Sequence, residues 1–104
     1  MQVQLHHVAI CTDQFEASVQ FYKDVFGMTV DRTQGEAPHR KVWFCEGIQL
    51  NEGTPAGNSL DHIGLWVPDQ AATLEKAKAH GCKGIEGRPN WFLTPQGVVI
   101  ELAK

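Results

Sequence analysis

The chain has 104 residues, 42% of them apolar, which suits one domain (1–104) with a single shared core and leaves no room for a second independent one. A formal charge of −3 and the lack of any Lys/Arg cluster argue against nucleic acid or an anionic membrane as the main partner, so a small molecule is expected. No basic segment leads into an apolar stretch and no run approaches the roughly 18 apolar residues of a membrane span, which makes a soluble cytoplasmic protein the expectation. Taken in chain order, residues 3–11 alternate as a strand does, with Val8 and Ile10 on one face and Leu5, His7, Ala9 and Cys11 on the other. Thr12 or Asp13 can cap the helix that follows, in which Phe15, Val19, Tyr22 and Phe26 share a face and Gly27 supplies the stop. Residues 28–33, 39–45 and 48–51 read as strands, with a polar loop at 34–38. Gly53, Pro55, Gly57 and Asn58 mark a turn-rich linker at 53–59. A strand at 60–67, a helix at 69–80 ended by Gly81, and strands near 82–86, 91–94 and 98–103 complete the chain.

The chain repeats itself. His7-Val8-Ala9-Ile10 returns as His62-Ile63-Gly64-Leu65, and each half closes on an apolar strand with one polar residue, Gln49 in the first and Glu101 in the second. The expected architecture is therefore α+β: two tandem βαβββ modules, about 1–52 and 60–104, forming a curved, half-open mixed sheet around a cavity. Because Val8, Ile10, Ile63, Leu65, Ile48, Leu50, Ile100 and Leu102 must face the helices, alternation sends His7, Gln49, His62 and Glu101 to the opposite face. Two imidazoles, an amide oxygen and a carboxylate converging in a cavity suit one divalent ion such as Ni, Co, Mn, Zn or Fe(II).

On His7-Val8-Ala9-Ile10, Phe21-Tyr22-Lys23-Asp24-Val25-Phe26-Gly27, Asp61-His62-Ile63-Gly64-Leu65 and Phe92-Leu93-Thr94-Pro95-Gln96-Gly97 leading into Ile100-Glu101-Leu102, the chain resembles the vicinal oxygen chelate (VOC) superfamily over essentially its whole length. That superfamily includes glyoxalase I, methylmalonyl-CoA epimerase, extradiol dioxygenases, and fosfomycin and bleomycin resistance proteins. The resemblance implies a divalent metal on His7, Gln49, His62 and Glu101, a ligand order similar to the epimerase and glyoxalase I patterns. It also implies a lyase or isomerase that removes a proton next to a carbonyl, with Glu101 as both ligand and general base. Epimerases of this group also carry a glutamate on the third strand, whereas residues 39–44 contain no carboxylate and Glu46 lies just beyond. Fosfomycin-modifying members usually have a threonine where this chain has Ala9.

Cys11 and Trp66 each follow a histidine by four positions and are expected in the substrate pocket, together with Trp43 and Trp91. Cys11, Cys45 and Cys82 form no CxxC pair and read as free thiols. His6 should face away from His7, and His39-Arg40-Lys41 is either a solvated strand end or an anion contact. Two other readings stay open: a metal-free protein of the bleomycin-resistance kind that sequesters a ligand, and an Fe(II) ring-cleaving dioxygenase on His7, His62 and Glu101. Chains of this superfamily commonly pair, so a homodimer is expected.

Overall fold

The computed structural model describes residues 2–53 and 59–103, so most of the expected linker lies outside the described residues. Among the described residues the elements run β1 (Gln4–Thr12), α1 (Phe15–Phe26), β2 (Val30–Gln34), β3 (Lys41–Phe44), β4 (Ile48–Glu52), β5 (Ser59–Trp66), α2 (Gln70–Ala79), β6 (Lys83–Ile85), β7 (Arg88–Leu93) and β8 (Val99–Ala103). The fold is α+β, and βαβββ occurs twice. The chain forms two compact units: Val8–Asp61, and the residues through His7 together with those from His62 onward.

In the unit Val8–Asp61 the strand order is β2-β3-β4-β1. β1 runs parallel to β4, with Val8 opposite Ile48 and Ile10 opposite Leu50, while β3 is antiparallel to β2 and β4. A parallel pair cannot be closed by a tight turn, and here α1 and the β2–β3 hairpin form the crossover. Phe15, Val19 and Tyr22 recur at helical spacing and pack with Ile10, Met28, Val30 and Ile48 on buried Val42, Phe44 and Leu50. Gly27 ends α1 at φ 65°, where its N–H reaches the Lys23 carbonyl. The start of α1 departs from expectation: Gln14 takes the N-cap position and no side chain caps the helix. Thr12 is still in β1 and fully buried, so its hydroxyl accepts the Gln14 N–H (3.0 Å) and meets Ser18 Oγ (3.1 Å) instead.

The second unit repeats this plan with the order β5-β8-β7-β6. β5 and β8 are parallel, with Ile63 opposite Ile100, Gly64 opposite Glu101 and Leu65 opposite Leu102. Asp69 caps α2 by accepting the Ala72 N–H at 3.0 Å. The core is Val67, Ile100 and Leu102, packed by Ile63, Leu65, Leu74, Phe92 and Val98. β7 begins at Arg88 rather than near 91, because Gly87 at φ 78° closes a two-residue turn that sets Ile85 opposite Arg88. With Ile63, Leu65, Ile100 and Leu102 in that core, His62, Gly64 and Glu101 take the other face of β5 and β8.

Candidate metal centre

Three side chains distant in sequence meet in the unit that contains β5 and β8. His7 from the start of β1, His62 from β5 and Glu101 from β8 present ligand atoms all within 4.8 Å of one another. His7 Nε2 lies 2.9 Å from His62 Nε2 and 3.2 Å from Glu101 Oε1, and His62 Nε2 lies 3.1 Å from the same oxygen. The triangle is nearly equilateral. Bonds of about 2.1 Å set at right angles would separate their donor atoms by about 3 Å, so the three atoms fit one face of an octahedral ion's shell. The donor set, two imidazole nitrogens and a carboxylate oxygen, is that of borderline divalent transition metals.

The surroundings favour this arrangement. Both imidazoles are buried, whereas the Glu101 side chain keeps 24% of its surface exposed and is the member that a small molecule can reach. Burial pushes the His7 imidazole below its ordinary value, only partly opposed by the Glu101 carboxylate, and so favours the neutral ring that has a lone pair to offer. One face of His62 meets Trp91 (ring centroids 4.5 Å apart), and the Arg88 guanidinium sits 4.4 Å from the centre of Trp91. Trp91 stands opposite Glu101 in the β7–β8 register, which explains its place beside the triad. Trp66, at the end of β5, is 39% exposed.

The remaining expected residues belong to the unit Val8–Asp61. Gln49 is buried in β4 between Ala9 and Trp43, and its Nε2 donates to Asn51 Oδ1 at 2.8 Å. Trp43 carries the Arg32 guanidinium 4.0 Å from its ring centre. Cys11 is buried and donates to Asp61 Oδ1 at 3.3 Å; desolvation, with help from that carboxylate, pushes its thiol up to about 11. It is therefore a protonated, unreactive thiol at neutral pH. Arg40 is engaged rather than presented to an anion: Nε and Nη2 donate to the two Glu52 oxygens at 2.8 and 2.7 Å, and Nη1 donates to Glu16 at 3.0 Å.

Three residues beside the triad were missed in the sequence. Arg88 carried no signal. Strand alternation sends His6 to the face away from His7, yet its Nδ1 lies 2.8 Å from His7 Nδ1. Gly64 lies beneath the His7 ring: a Cβ there would fall 2.2 Å from Cε1 and 2.4 Å from Nδ1. The sequence did hold a signal for Gly64, because the residue two places after each repeated histidine is small, Ala9 in one copy and Gly64 in the other.

Comparison with known proteins agrees with this architecture. Residues 4–102 match the family described as the Glyoxalase/Bleomycin resistance protein/Dioxygenase superfamily. The mitochondrial methylmalonyl-CoA epimerase of Dictyostelium discoideum is 27% identical over 127 residues, covering 95% of this chain and 76% of that protein. Among solved structures, a variant of the Streptomyces coelicolor methylmalonyl-CoA epimerase in complex with 2-nitronate-propionyl-CoA superposes with a TM-score of 0.70 at 20% identity, covering 95% of this chain and 94% of that one. The Mn(II)-bound glyoxalase from Novosphingobium aromaticivorans gives a TM-score of 0.72 at 24% identity, covering 95% of this chain and 38% of that one.

Proposed function

The chain belongs to the Glyoxalase/Bleomycin resistance protein/Dioxygenase superfamily, and from that premise we propose that it is a divalent-metal-dependent isomerase or lyase that removes a proton next to a carbonyl. The observation that carries this reading is the triangle of His7, His62 and Glu101 with sides of 2.9 to 3.2 Å. Gln49 is proposed as the fourth ligand on the strength of its equivalence to Glu101 in the repeat. When bound, the ion would supply Lewis-acid polarisation of the substrate carbonyl.

The chain's own groups supply the rest. His7 and His62, buried and fixed, hold position. Glu101 is the partly exposed member and the one able to accept a proton from a substrate carbon; a base must lie within hydrogen-bond reach of its proton. Trp91 forms the wall beside His62, with Arg88 on its ring as a cationic edge. No carboxylate lies on β3, and Glu46, in the turn after it, accepts the Thr29 N–H at 3.1 Å. That favours chemistry on a single base over a two-base epimerisation.

Metal content by elemental analysis, followed by solvent deuterium exchange at the α-carbon of methylmalonyl-CoA and of 2-oxoaldehyde adducts, tests the proposal. Near-stoichiometric metal and exchange that disappears in Glu101→Ala are expected; a protein that neither holds nor responds to Ni, Co, Mn, Zn or Fe(II) sinks the proposal and favours ligand sequestration. One observation supports a second reading: two histidines and a carboxylate are also the facial set of non-haem Fe(II) oxygenases. Oxygen uptake with catechols would then replace deuterium exchange. We further propose a cytoplasmic homodimer. Phe21, Val25 and Phe26 stand 49%, 59% and 61% exposed on α1, apolar surface that a second copy would cover, and light scattering at micromolar concentration checks it.

A further inference from the structure

The His7 imidazole is enclosed by two neighbours that are not themselves in the triangle. Its Nε2 points to His62 and Glu101, its Nδ1 lies 2.8 Å from His6 Nδ1, and its ring rests on the bare backbone of Gly64. A ring nitrogen can offer a lone pair to an ion only if the ring's single proton sits on the other nitrogen. For His7 that other nitrogen is Nδ1, and the atom facing it is on His6.

We infer that His6 and Gly64 are positioning residues: His6 accepts the Nδ1–H of His7 and so fixes the tautomer that frees Nε2, while Gly64, lacking a side chain, leaves the space that the ring occupies. This rests on the metal reading above and deepens it. Protons balance along the pair. His7 carries one proton, on Nδ1; His6 accepts through its own Nδ1 lone pair and carries its proton on Nε2, at an exposed position where water can accept it. The His6 ring stands edge-on to His7, with an interplanar angle of 80° and centroids 5.0 Å apart, which restricts rotation of the ligand ring as well as its proton. Partners of this kind on a ligating histidine typically contribute about 10- to 100-fold in metal affinity. The usual partner is a carboxylate or a backbone carbonyl, and this chain uses a second imidazole instead.

The Gly64 requirement is steric. A methyl group there would fall 2.2 to 2.8 Å from three ring atoms of His7, so the ring must leave the triangle or β5 must move. Gly64 is opposite Glu101 in the β5–β8 register, so a shift of β5 would also disturb the carboxylate. The duplicated small residue after each histidine thus has a physical purpose in this copy.

The test measures affinity for Co(II) and Mn(II) by calorimetric titration of the full chain, and the His7 tautomer by long-range nitrogen–proton correlation in the metal-free protein. Four proteins are compared: unaltered, His6→Ala, His6→Asn and Gly64→Ala. Unaltered protein should show His7 protonated on Nδ1. His6→Ala should bind about 10- to 100-fold more weakly with an unchanged metal-free melting temperature. His6→Asn, whose amide oxygen can accept the same proton, should recover most of the loss, an outcome that a merely structural role would not produce. Gly64→Ala should lose binding and show a displaced His7 resonance; if it does not fold, the two His6 variants still decide the matter. Unaltered protein that binds no metal overturns the proposed function, and the tautomer measurement then decides the His6–His7 bond alone. Tight binding by unaltered protein and equally tight binding by His6→Ala would overturn the role of His6 and leave the proposed function standing.

Discussion

The two βαβββ copies share a topology and divide their labour. In Val8–Asp61 the helix contributes Phe15, Val19 and Tyr22 to a core built on Val42, Phe44 and Leu50. In the other unit, α2 is alanine-rich and contributes only Leu74 to Val67, Ile100 and Leu102. The polar strand residues differ in the same direction: Gln49 bonds to its own strand neighbour Asn51, while Glu101 faces two imidazoles. Although β1 of the first copy lends His7 to the triad, the rest of that copy is weighted toward packing and the second toward chemistry, so a duplicated unit can keep its hydrogen-bonding plan while each half specialises.

Substitutions can break or sharpen that contrast. The largest expected effect is Phe44→Ala, which empties the better-packed core and should cost about 3–5 kcal/mol in urea denaturation. Glu101→Ala and His62→Ala should leave the fold intact but abolish tight metal binding, removing a metal-dependent rise of about 3–4 kcal/mol at an ion concentration some 100 to 1,000 times the Kd. Gln49→Ala should weaken binding less than either, and an equal loss would mean that the first copy carries as much of the chemistry as the second. Leu74→Ala, a half-buried position on the sparsely packed helix, should cost about 1–2 kcal/mol in the same denaturation assay.

The smallest effect is electrostatic. The bidentate Arg40 guanidinium holds the Glu52 carboxyl down to about 2, so the pair stabilises the fold above the ordinary carboxylate range and that contribution fades as pH falls from about 4.5 toward 2. Acid titration of Glu52→Gln should lack that decline. At the other end of the scale, Cys11 keeps its proton in the folded protein up to about 11 while an unfolded thiol ionises near 9, so stability should fall between those values, and Cys11→Ser should flatten the slope.

Alternation made most of the site legible. Ile63 and Leu65, with Ile100 and Leu102, are so clearly helix-facing that His62 and Glu101 had to point the other way, and they do. Element ends were harder to read. Thr12 looked like a cap because of its residue type, but β1 extends through it and turns its hydroxyl inward. A strand near 91–94 starts too late for β7, because the turn is made by Gly87 and Asn90 already donates to the Leu102 carbonyl at 2.9 Å. His6 shows where a period of two runs out: adjacent side chains leave a strand on opposite sides, yet the Nδ1 atoms of these two imidazoles lie 2.8 Å apart.

The parallel pairing of β5 with β8 has a kinetic consequence. His62 and Glu101 are 39 positions apart and become neighbours only when a helix and a hairpin have formed between them and the last strand has docked. Loop closure of that length is a slow, late event compared with helix formation. Ion capture should therefore report the final step of folding: in refolding from urea, a Co(II) absorbance change should lag behind the recovery of helical circular dichroism, and a chain halted before β8 docks should pass through a metal-rich solution without trapping an ion.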